Sequence, residues 1–298
     1  MALQATDELT AAGAVAWVGG VRSRTVPKLH LRKGDLALYI PLGLFLLMVV
    51  ACFLGPTIFH LPPASYSNLL NANLPLFSPG HLLGTDPLGN DLLSRTLHGG
   101  RVSIVVGLGA MACGFTIGTN IGTIAGYFGG KVDSMIMRLL DVLLAFPSLI
   151  LAMCIATFLG PSERNEIIAI MFFTIPNYAR LARAATLKIR EREFVLVGRI
   201  MGAKPRYMTL RHVYPNIVPP LITIAPLTVA IAMIVEATLS FLGLGIRPPA
   251  PSWGNMIAQG QIYMTTSPQN IVIPAIGLFI TVLSLNLIGE QLRIRISR

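Results

Sequence analysis

The sequence is poor in charge, and this absence bounds what the protein can be. Of its 298 residues only 12% are charged, 53% are hydrophobic, and the mean hydropathy is +0.68. Soluble domains carry roughly 25% charged residues because their surfaces face water. A water-soluble core cannot absorb this much apolar surface at this chain length, whereas a lipid bilayer can. The composition therefore indicates an integral membrane protein.

The usual marks of an enzyme or a metal protein are also missing. The three cysteines lie in apolar stretches without paired spacing, which argues against a disulfide framework or a zinc site. The phosphate-binding pattern Gly-x-x-x-x-Gly-Lys-Ser/Thr fails at its nearest match, Gly130-Lys131, where Ala125 and Val132 occupy the other required positions. Neither a zinc-protease pattern nor a Gly-x-Ser-x-Gly elbow occurs. We therefore predict no catalytic residue, no metal site and no cofactor bound by this chain.

Six apolar segments predict six membrane-spanning helices, which makes the predicted fold class all-α integral membrane. The first, Leu36 to Phe59, has no charged residue and would extend roughly 36 Å as a helix, enough to cross a ~30 Å hydrocarbon core. Prolines early in the fifth segment predict a kink or a break there. We assign residues 1–35 to a tail and residues 36–298 to the transmembrane domain, with spans at 36–59, 102–127, 135–159, 167–187, 217–246 and 271–288.

The distribution of Lys and Arg predicts the orientation of these spans. Cytoplasmic loops carry an excess of basic residues. With the N-terminus in the cytoplasm, only four of the 23 basic residues fall outside: Arg95, Arg101, Arg164 and Arg247. Both termini are therefore predicted to be cytoplasmic. This bias also accounts for the net charge of +10 without nucleic acid as a partner.

The second span carries a ladder of small residues four positions apart. Residues spaced in this way share one helix face, and small side chains there allow another backbone to approach closely. We predict a tight helix–helix contact, whose partner is either internal or another subunit, at Gly114, Gly118, Gly122 and Gly126.

The longest cytoplasmic segment, residues 190–215, has features of two short helices that meet at an angle. Gly202 suits the end of one helix, and Pro205 suits the first turn of the next. The segment would present a basic and partly apolar surface. From spacing alone, two interpretations remain open: docking of a partner protein, or contact with anionic lipid headgroups.

Ionisable and polar residues inside spans are functional candidates, since a bilayer penalises them. Glu236 is the clearest. These residues either line a hydrated pathway or are satisfied by neighbouring helices as part of the structure. A second expectation is a local ion pair between Arg138 and Asp141, three residues apart on a helix. The predicted pathway residues are Asn120, Asn177, Tyr178, Glu236 and Asn286.

Several stretches of this chain, in their order, resemble a known family. They are His81-Leu-Leu-Gly-Thr-Asp-Pro-Leu-Gly-Asn-Asp-Leu-Leu-Ser-Arg95, Ala125-Gly-Tyr-Phe-Gly-Gly-Lys-Val-Asp133, Asp141-Val-Leu-Leu-Ala-Phe-Pro-Ser148, and Glu236-Ala-Thr-Leu-Ser-Phe-Leu-Gly-Leu-Gly245 followed by Pro251-Ser-Trp-Gly254. The chain resembles the C-type permease subunit of dipeptide, oligopeptide and nickel ABC importers. The resemblance covers roughly residues 30–298 and implies the type I importer permease fold.

The same resemblance assigns a role to residues 190–215. The coupling motif of the family reads Glu-Ala-Ala, then Gly and later Leu-Pro. Gly202 matches the glycine and Pro215 the proline, whereas Leu196, Val197 and Gly198 depart from Glu-Ala-Ala. The resemblance implies ATPase docking through Glu191, Glu193, Leu196, Gly198, Gly202, Ala203, Lys204, Arg206 and Pro215.

The resemblance also implies the rest of an importer in a bacterial plasma membrane. It implies a related second permease, two ATPase subunits or domains that bind ATP and Mg²⁺, and an extracytoplasmic binding protein. The expected cargo is di- or oligopeptide, with nickel or another small chelate as the alternative. A self-sufficient channel or secondary transporter is a further alternative, disfavoured because intramembrane ionisable residues are sparse.

Overall fold

The computed structural model describes residues 33–296, and this part of the chain is a set of helices without a β-strand. The tail predicted over residues 1–35 falls almost entirely outside the described residues. The helices are α1 (Lys33–Ile58), α2 (Leu92–Phe128), α3 (Gly130–Leu144), α4 (Ser148–Leu159), α5 (Glu163–Arg190), α6 (Glu193–Ile200), α7 (Pro205–Met208), α8 (Tyr214–Thr223), α9 (Ala225–Phe241), α10 (Trp253–Gly260) and α11 (Gln269–Ile296).

Several of these helices are long and apolar enough to cross a membrane. Within the described chain, three helices qualify by length and composition: Leu36–Ile58 of α1, Leu92–Phe128 and Gln269–Arg295 of α11. Two bent helix pairs raise the number to five if each pair forms one span. The predicted fourth span, 167–187, lies within α5, which is long enough, but polar residues in its second half lower its mean hydropathy.

The predicted third span, 135–159, is wrong as a single helix. The structure has α3 and α4 in its place, bent by 84° to each other. Pro147 explains the break, because it lacks a backbone N–H and disfavours helical geometry at the residue before it, Phe146. The signal was present in the sequence as Phe146-Pro147.

The predicted fifth span, 217–246, is also divided and ends early. The helices over Pro205–Thr223 and α9 meet at a 52° bend, and α9 stops at Phe241. Pro226 lies in the first turn of α9, where its missing N–H costs nothing. A helix that breaks just before such a proline agrees with the kink expected from the sequence.

The glycine ladder of α2 packs against α5, so its partner is internal. A Cβ atom on Gly122 would overlap with the carbonyl oxygen of Ala179, and one on Gly114 would overlap with the Thr174 hydroxyl. The Thr174 hydroxyl also donates to the carbonyl oxygen of Ala110 at 3.2 Å. The two backbones therefore touch, as small-residue ladders allow in membranes.

The α2–α5 pair connects two ends of the molecule. α5 has 28 residues and is roughly 42 Å long. At one end, α2 begins directly after the connection between α1 and α2, residues 59–91, and we call this the loop end. The other is where α5 leads into α6, and we call it the elbow end.

Replacing Gly122 by valine should destabilise the protein, because the added side chain cannot fit between α2 and Ala179. Overpacking of this kind costs about 1–3 kcal/mol. We expect a lower melting temperature for the purified protein in detergent. Gly43→Val is the matched control, since nothing lies within 4 Å of a Cβ at Gly43. Equal melting temperatures for the two variants would contradict the packing described above.

Candidate functional site

The predicted docking segment folds as an elbow of short helices at the end of α5. We use the name elbow for residues 190–215. α6 ends at Ile200, and the chain then turns at Gly202, whose φ of +80° favours glycine. The N–H of Ala203 donates to the carbonyl oxygen of Gly198 at 3.0 Å, which closes the turn. α7 begins at Pro205, where the fixed φ of proline suits a helix start.

The elbow is held by a small apolar core of its own. Val195, Met208 and Val213 are buried together with Ile217 and with Tyr127 from the end of α2. Well-packed interiors of this kind resist deformation. The elbow therefore behaves as one body with the end of α2.

Gly198 is part of this internal packing rather than of the surface. A Cβ at Gly198 would lie 2.7 Å from the terminal methyl carbon of Met208, closer than ordinary contact. The glycine thus lets α6 and α7 approach each other. Its role in docking would be indirect, through the angle between the two helices.

The elbow is also tied to the glycine ladder. The guanidinium of Arg190, the last residue of α5, donates to the carbonyl oxygen of Gly126 at 3.1 Å. Carbonyl groups in the last turn of a helix lack partners within the helix and attract positive charge. This hydrogen bond joins the C-terminal ends of α2 and α5 and holds the start of the elbow in place.

The outer surface of the elbow combines exposed apolar side chains with charge. Ile200 and Met201 are the most exposed of the apolar ones, at 86% and 81%. Exposed apolar patches mark surfaces for a partner protein or a membrane. The group comprises Phe194, Leu196, Val197, Ile200, Met201, Tyr207 and Leu210.

The structure brings the predicted docking residues onto this one elbow. Most of them are exposed, whereas Gly198 and Ala203 are half-buried. The exposed members are Glu191, Glu193, Leu196, Gly202, Lys204, Arg206 and Pro215. Sequence reasoning missed Ile200, Tyr207 and Leu210. The sequence feature that could have identified them is the presence of apolar residues on both sides of Gly202 within a basic segment.

The predicted pathway residues do not form one site in this structure. Tyr178 and Glu236 are 1% and 0% exposed, so in this conformation neither lines an open surface. Asn120 and Asn177 are exposed on α2 and α5, and each amide donates to a backbone carbonyl of its own helix. Asn286 is half-buried on α11. A pathway role for the three asparagines stays a prediction.

Two ion pairs join α3 to α5. Arg183 binds both carboxylate oxygens of Asp133, with Nη2 at 2.6 Å from Oδ2. Asp141 pairs with Arg180 at 2.6 Å, so the expected pair with Arg138 is wrong. The side chains of Asp141 and Arg180 are more than half exposed. Three residues before Arg180, Asn177 adds another exposed polar group to α5.

The loop end carries a pocket of about 290 Å³. Arg95, 3% exposed, lies at its base, with its Nε 3.4 Å from Oδ2 of Asp86 and its Nη2 donating to Gln259 at 3.3 Å. Asp86 also accepts the backbone N–H groups of Leu88 and Asn90. These bonds tie the 59–91 connection to α2 and α10.

Comparison with protein families gives one match to this chain. Residues 118–297 match the model of the binding-protein-dependent transport system inner membrane component. The matched region runs from the glycine ladder through the elbow to α11.

Three curated proteins illustrate the similarity over most of the chain. The glutathione transport system permease protein of Pectobacterium atrosepticum is 36% identical over 84% of this chain and 83% of its own length. The dipeptide transport system permease protein of Alkalihalophilus pseudofirmus is 36% identical over 83% and 82%. The di/tripeptide transport system permease protein of Pseudomonas aeruginosa is 38% identical over 84% of each.

Among solved structures, a chain of the MetNI methionine ABC transporter in an inward-facing conformation has the same fold. The TM-score is 0.57, and the match covers 68% of this chain and 97% of that one. The sequence identity is 18%, so the likeness concerns the fold alone. The fold is that of a type I importer permease.

Replacing Gly202 by valine should strain the elbow, because a β-branched residue is disfavoured at a φ of +80° by about 1–2 kcal/mol. Asparagine tolerates this region, so Gly202→Asn is the matched control. We expect faster trypsin cleavage of the valine variant after Arg199 and after Arg206, which flank the turn. Equal cleavage rates in both variants would show that the turn does not depend on glycine.

Proposed function

The chain belongs to the family of binding-protein-dependent transport system inner membrane components, and on that basis we propose the machine in which it works. It is a multi-pass membrane permease subunit of an ATP-driven importer, not an enzyme. The cargo we assign is di- or oligopeptide. One observation carries this assignment: relatives that match over four-fifths of their length are named for glutathione, dipeptides and di- or tripeptides, which are all short peptides.

The elbow is the surface we assign to an ATPase partner. It shares a small apolar core with the end of α2, it is anchored to both α2 and α5, and it exposes apolar side chains between charged ones. An interface core of this composition suits a protein partner. Hydrolysis of ATP, with Mg²⁺, takes place on two such ATPase subunits or domains, and this chain supplies the surface that they move.

A second, related permease is the partner we assign to the polar face of α5. Asn177 and the Arg180–Asp141 pair are exposed within membrane helices. Polar groups in such helices face a bundle interior or a hydrated cavity rather than lipid. Pairing of two permeases across this face would enclose a pathway for a peptide between them. An extracytoplasmic binding protein would deliver the peptide at the loop end.

Coupling follows from the covalent path between these surfaces. α5 carries the polar face and continues within three residues into α6 of the elbow. Closure of the ATPases would shift the elbow as a body, and α5 with it. A ligand shifts a two-state equilibrium only if it binds the two conformations with different affinity. In our proposal, the elbow and α5 together are the element whose position differs between the two conformations.

The orientation we propose places both termini and the elbow in the cytoplasm of a bacterial cell, with the loop end outside. Its support is the excess of Lys and Arg in the elbow and near the termini. The elbow alone, with its exposed basic residues, would be costly to carry across the membrane.

Two matched cysteine substitutions test orientation and docking together. Ile200 and Ile262 are both isoleucines, exposed by 86% and 81%, at the elbow and in the connection before α11. In a background without the three native cysteines, an impermeant maleimide should label Ile262→Cys in intact cells and leave Ile200→Cys unlabelled. Labelling of both or of the wrong one would overturn the orientation.

The same variants in inside-out vesicles test docking. Ile200→Cys should become labelled only after the ATPase subunits are stripped with urea, because the docked ATPase covers it. Labelling that is independent of the ATPase would remove Ile200 from the docking surface.

Uptake by the reconstituted complex tests the function itself. With a second permease, the ATPase subunits and a binding protein, proteoliposomes should accumulate a labelled dipeptide only when ATP is supplied on the ATPase side. Accumulation of nickel in place of peptide would favour the chelate alternative. Peptide flux by this chain alone, without ATP, would favour a secondary transporter.

A further inference from the structure

Two carboxyl groups meet inside the protein near the loop end, where α5 packs beside the second half of α9. They belong to Glu166 and Glu236, which are 1% and 0% exposed. The hydroxyl of Ser240 lies between them, with its Oγ 3.1 Å from Oε1 of Glu166 and 3.0 Å from Oε1 of Glu236. The elbow and the pocket do not use these groups.

Counting hydrogens shows that the cluster needs one more proton than two carboxylates and a serine provide. A hydroxyl has one hydrogen to donate, and an ionised carboxylate can only accept. Ser240 can therefore donate to one of the two oxygens. The second contact becomes a hydrogen bond only if that carboxyl carries a proton and donates it to the hydroxyl oxygen.

Within residues 33–296, the salt bridges join other acidic residues, and neither carboxyl of the pair takes part in one. The titratable group that interacts with the pair is Glu163, which is itself acidic. From α2 and the segment before α10, the neighbouring groups are the hydroxyls of Ser103 and Ser252.

The second oxygen of each carboxyl adds an independent observation. Oε2 of Glu166 is buried and has no hydrogen-bond partner. Oε2 of Glu236 is also buried, and the hydroxyls of Ser103 and Ser252 beside this carboxyl are the donors within its reach. Buried polar atoms are normally paired, and an exception in a native structure calls for an explanation. A bound cation of some kind would satisfy them.

The space at the site favours the smallest cation. The backbone at Gly245 closes the cluster, since a Cβ there would overlap with Ser240 Oγ and Glu166 Oε1. Hard metal ions prefer six or more oxygen ligands. The described residues contain no group of three His, Cys, Asp or Glu side chains able to hold a metal. A proton needs no coordination shell.

We propose that Glu166, Ser240 and Glu236 form a proton-binding site in which two carboxyl groups share one proton through the serine hydroxyl. With the proton, a chain of hydrogen bonds links α5 to α9. Without it, two negative charges face each other in a dry site, and the helices are driven apart. The packed state therefore binds more protons than the separated state, so low pH favours packing and rising pH favours separation.

The site has a consequence for transport, and this part rests on the proposed function. α5 carries the carboxyl of Glu166 near its first turn and the elbow at its far end. A proton that holds α5 against α9 biases the position of the helix that the ATPases move. The protonation state would then select between the two conformations of the permease.

Infrared spectroscopy of the purified full-length protein tests the site directly. At neutral pH the wild type should show the carbonyl band of a protonated carboxyl, which shifts in heavy water and disappears reversibly at alkaline pH. Both Glu166→Gln and Glu236→Gln should lack the band, because the amide then donates to Ser240 Oγ and the serine hydroxyl donates to the remaining carboxylate. Glu163→Gln, an exposed acid on the same helix, is the matched control and should keep it.

A second measurement on the same proteins follows thermal stability with pH. The melting temperature of the wild type should fall with rising pH over the range in which the infrared band disappears. The melting temperature of Glu236→Gln should not fall over that range. The wild-type band and its reversibility need no variant, so a misfolded variant would not leave the proposal untested.

Three results would overturn the proposal: no protonated band in the wild type, a band that survives in both glutamine variants, or a stoichiometric metal ion in the purified protein. None of these readouts depends on transport. A band with the expected behaviour in a protein that fails to import peptide would uphold the site and reject the proposed function.

Discussion

Close approach of α2 and α5 is the constraint on which the rest of this structure depends. In lipid, helices gain little from burying apolar surface, so dispersion contacts and small residues decide where they meet. The ladder from Gly114 to Gly126 removes side chains along one face, and the backbone of α5 fills the space. A larger residue at any rung would tilt α5 and with it everything attached to its two ends.

The α2–α5 pair positions both the elbow and the buried carboxyl pair. At the elbow end, Arg190 caps the last turn of α2 through the Gly126 carbonyl, which fixes where the short helices begin. At its other end, the same α5 carries Glu166 near its first turn, where it meets Ser240 of α9. The elbow and the buried carboxyl pair are therefore joined by one helix, with Pro176 in its interior. An interior proline removes one backbone hydrogen bond, so this is the point at which α5 can bend.

The acidic residues of this largely apolar chain differ in whether a basic side chain pairs with them. Asp133 receives a two-point ion pair from Arg183, and Asp86 is surrounded by N–H donors and Arg95. Asp86 is buried and Asp133 is half-buried, and both are paired, since an unpaired charge is costly away from water. The pair of Glu166 and Glu236 is the contrast, since neither takes part in a salt bridge within residues 33–296.

The sequence by itself determined the features that depend on neighbouring residues. Apolar runs marked the membrane segments, and Gly202 with Pro205 marked the turn of the elbow, because a positive φ and a helix start are local requirements. The break at Phe146-Pro147 was readable in the same way, although the apolar run around it suggested one helix. Tertiary structure alone decided which faces meet. Glu166 and Ser240 lie 74 residues apart in the chain, and Asp141 pairs with Arg180 rather than with Arg138 on its own helix. Such contacts depend on how the helices pack in space, and residue spacing along the chain does not encode that.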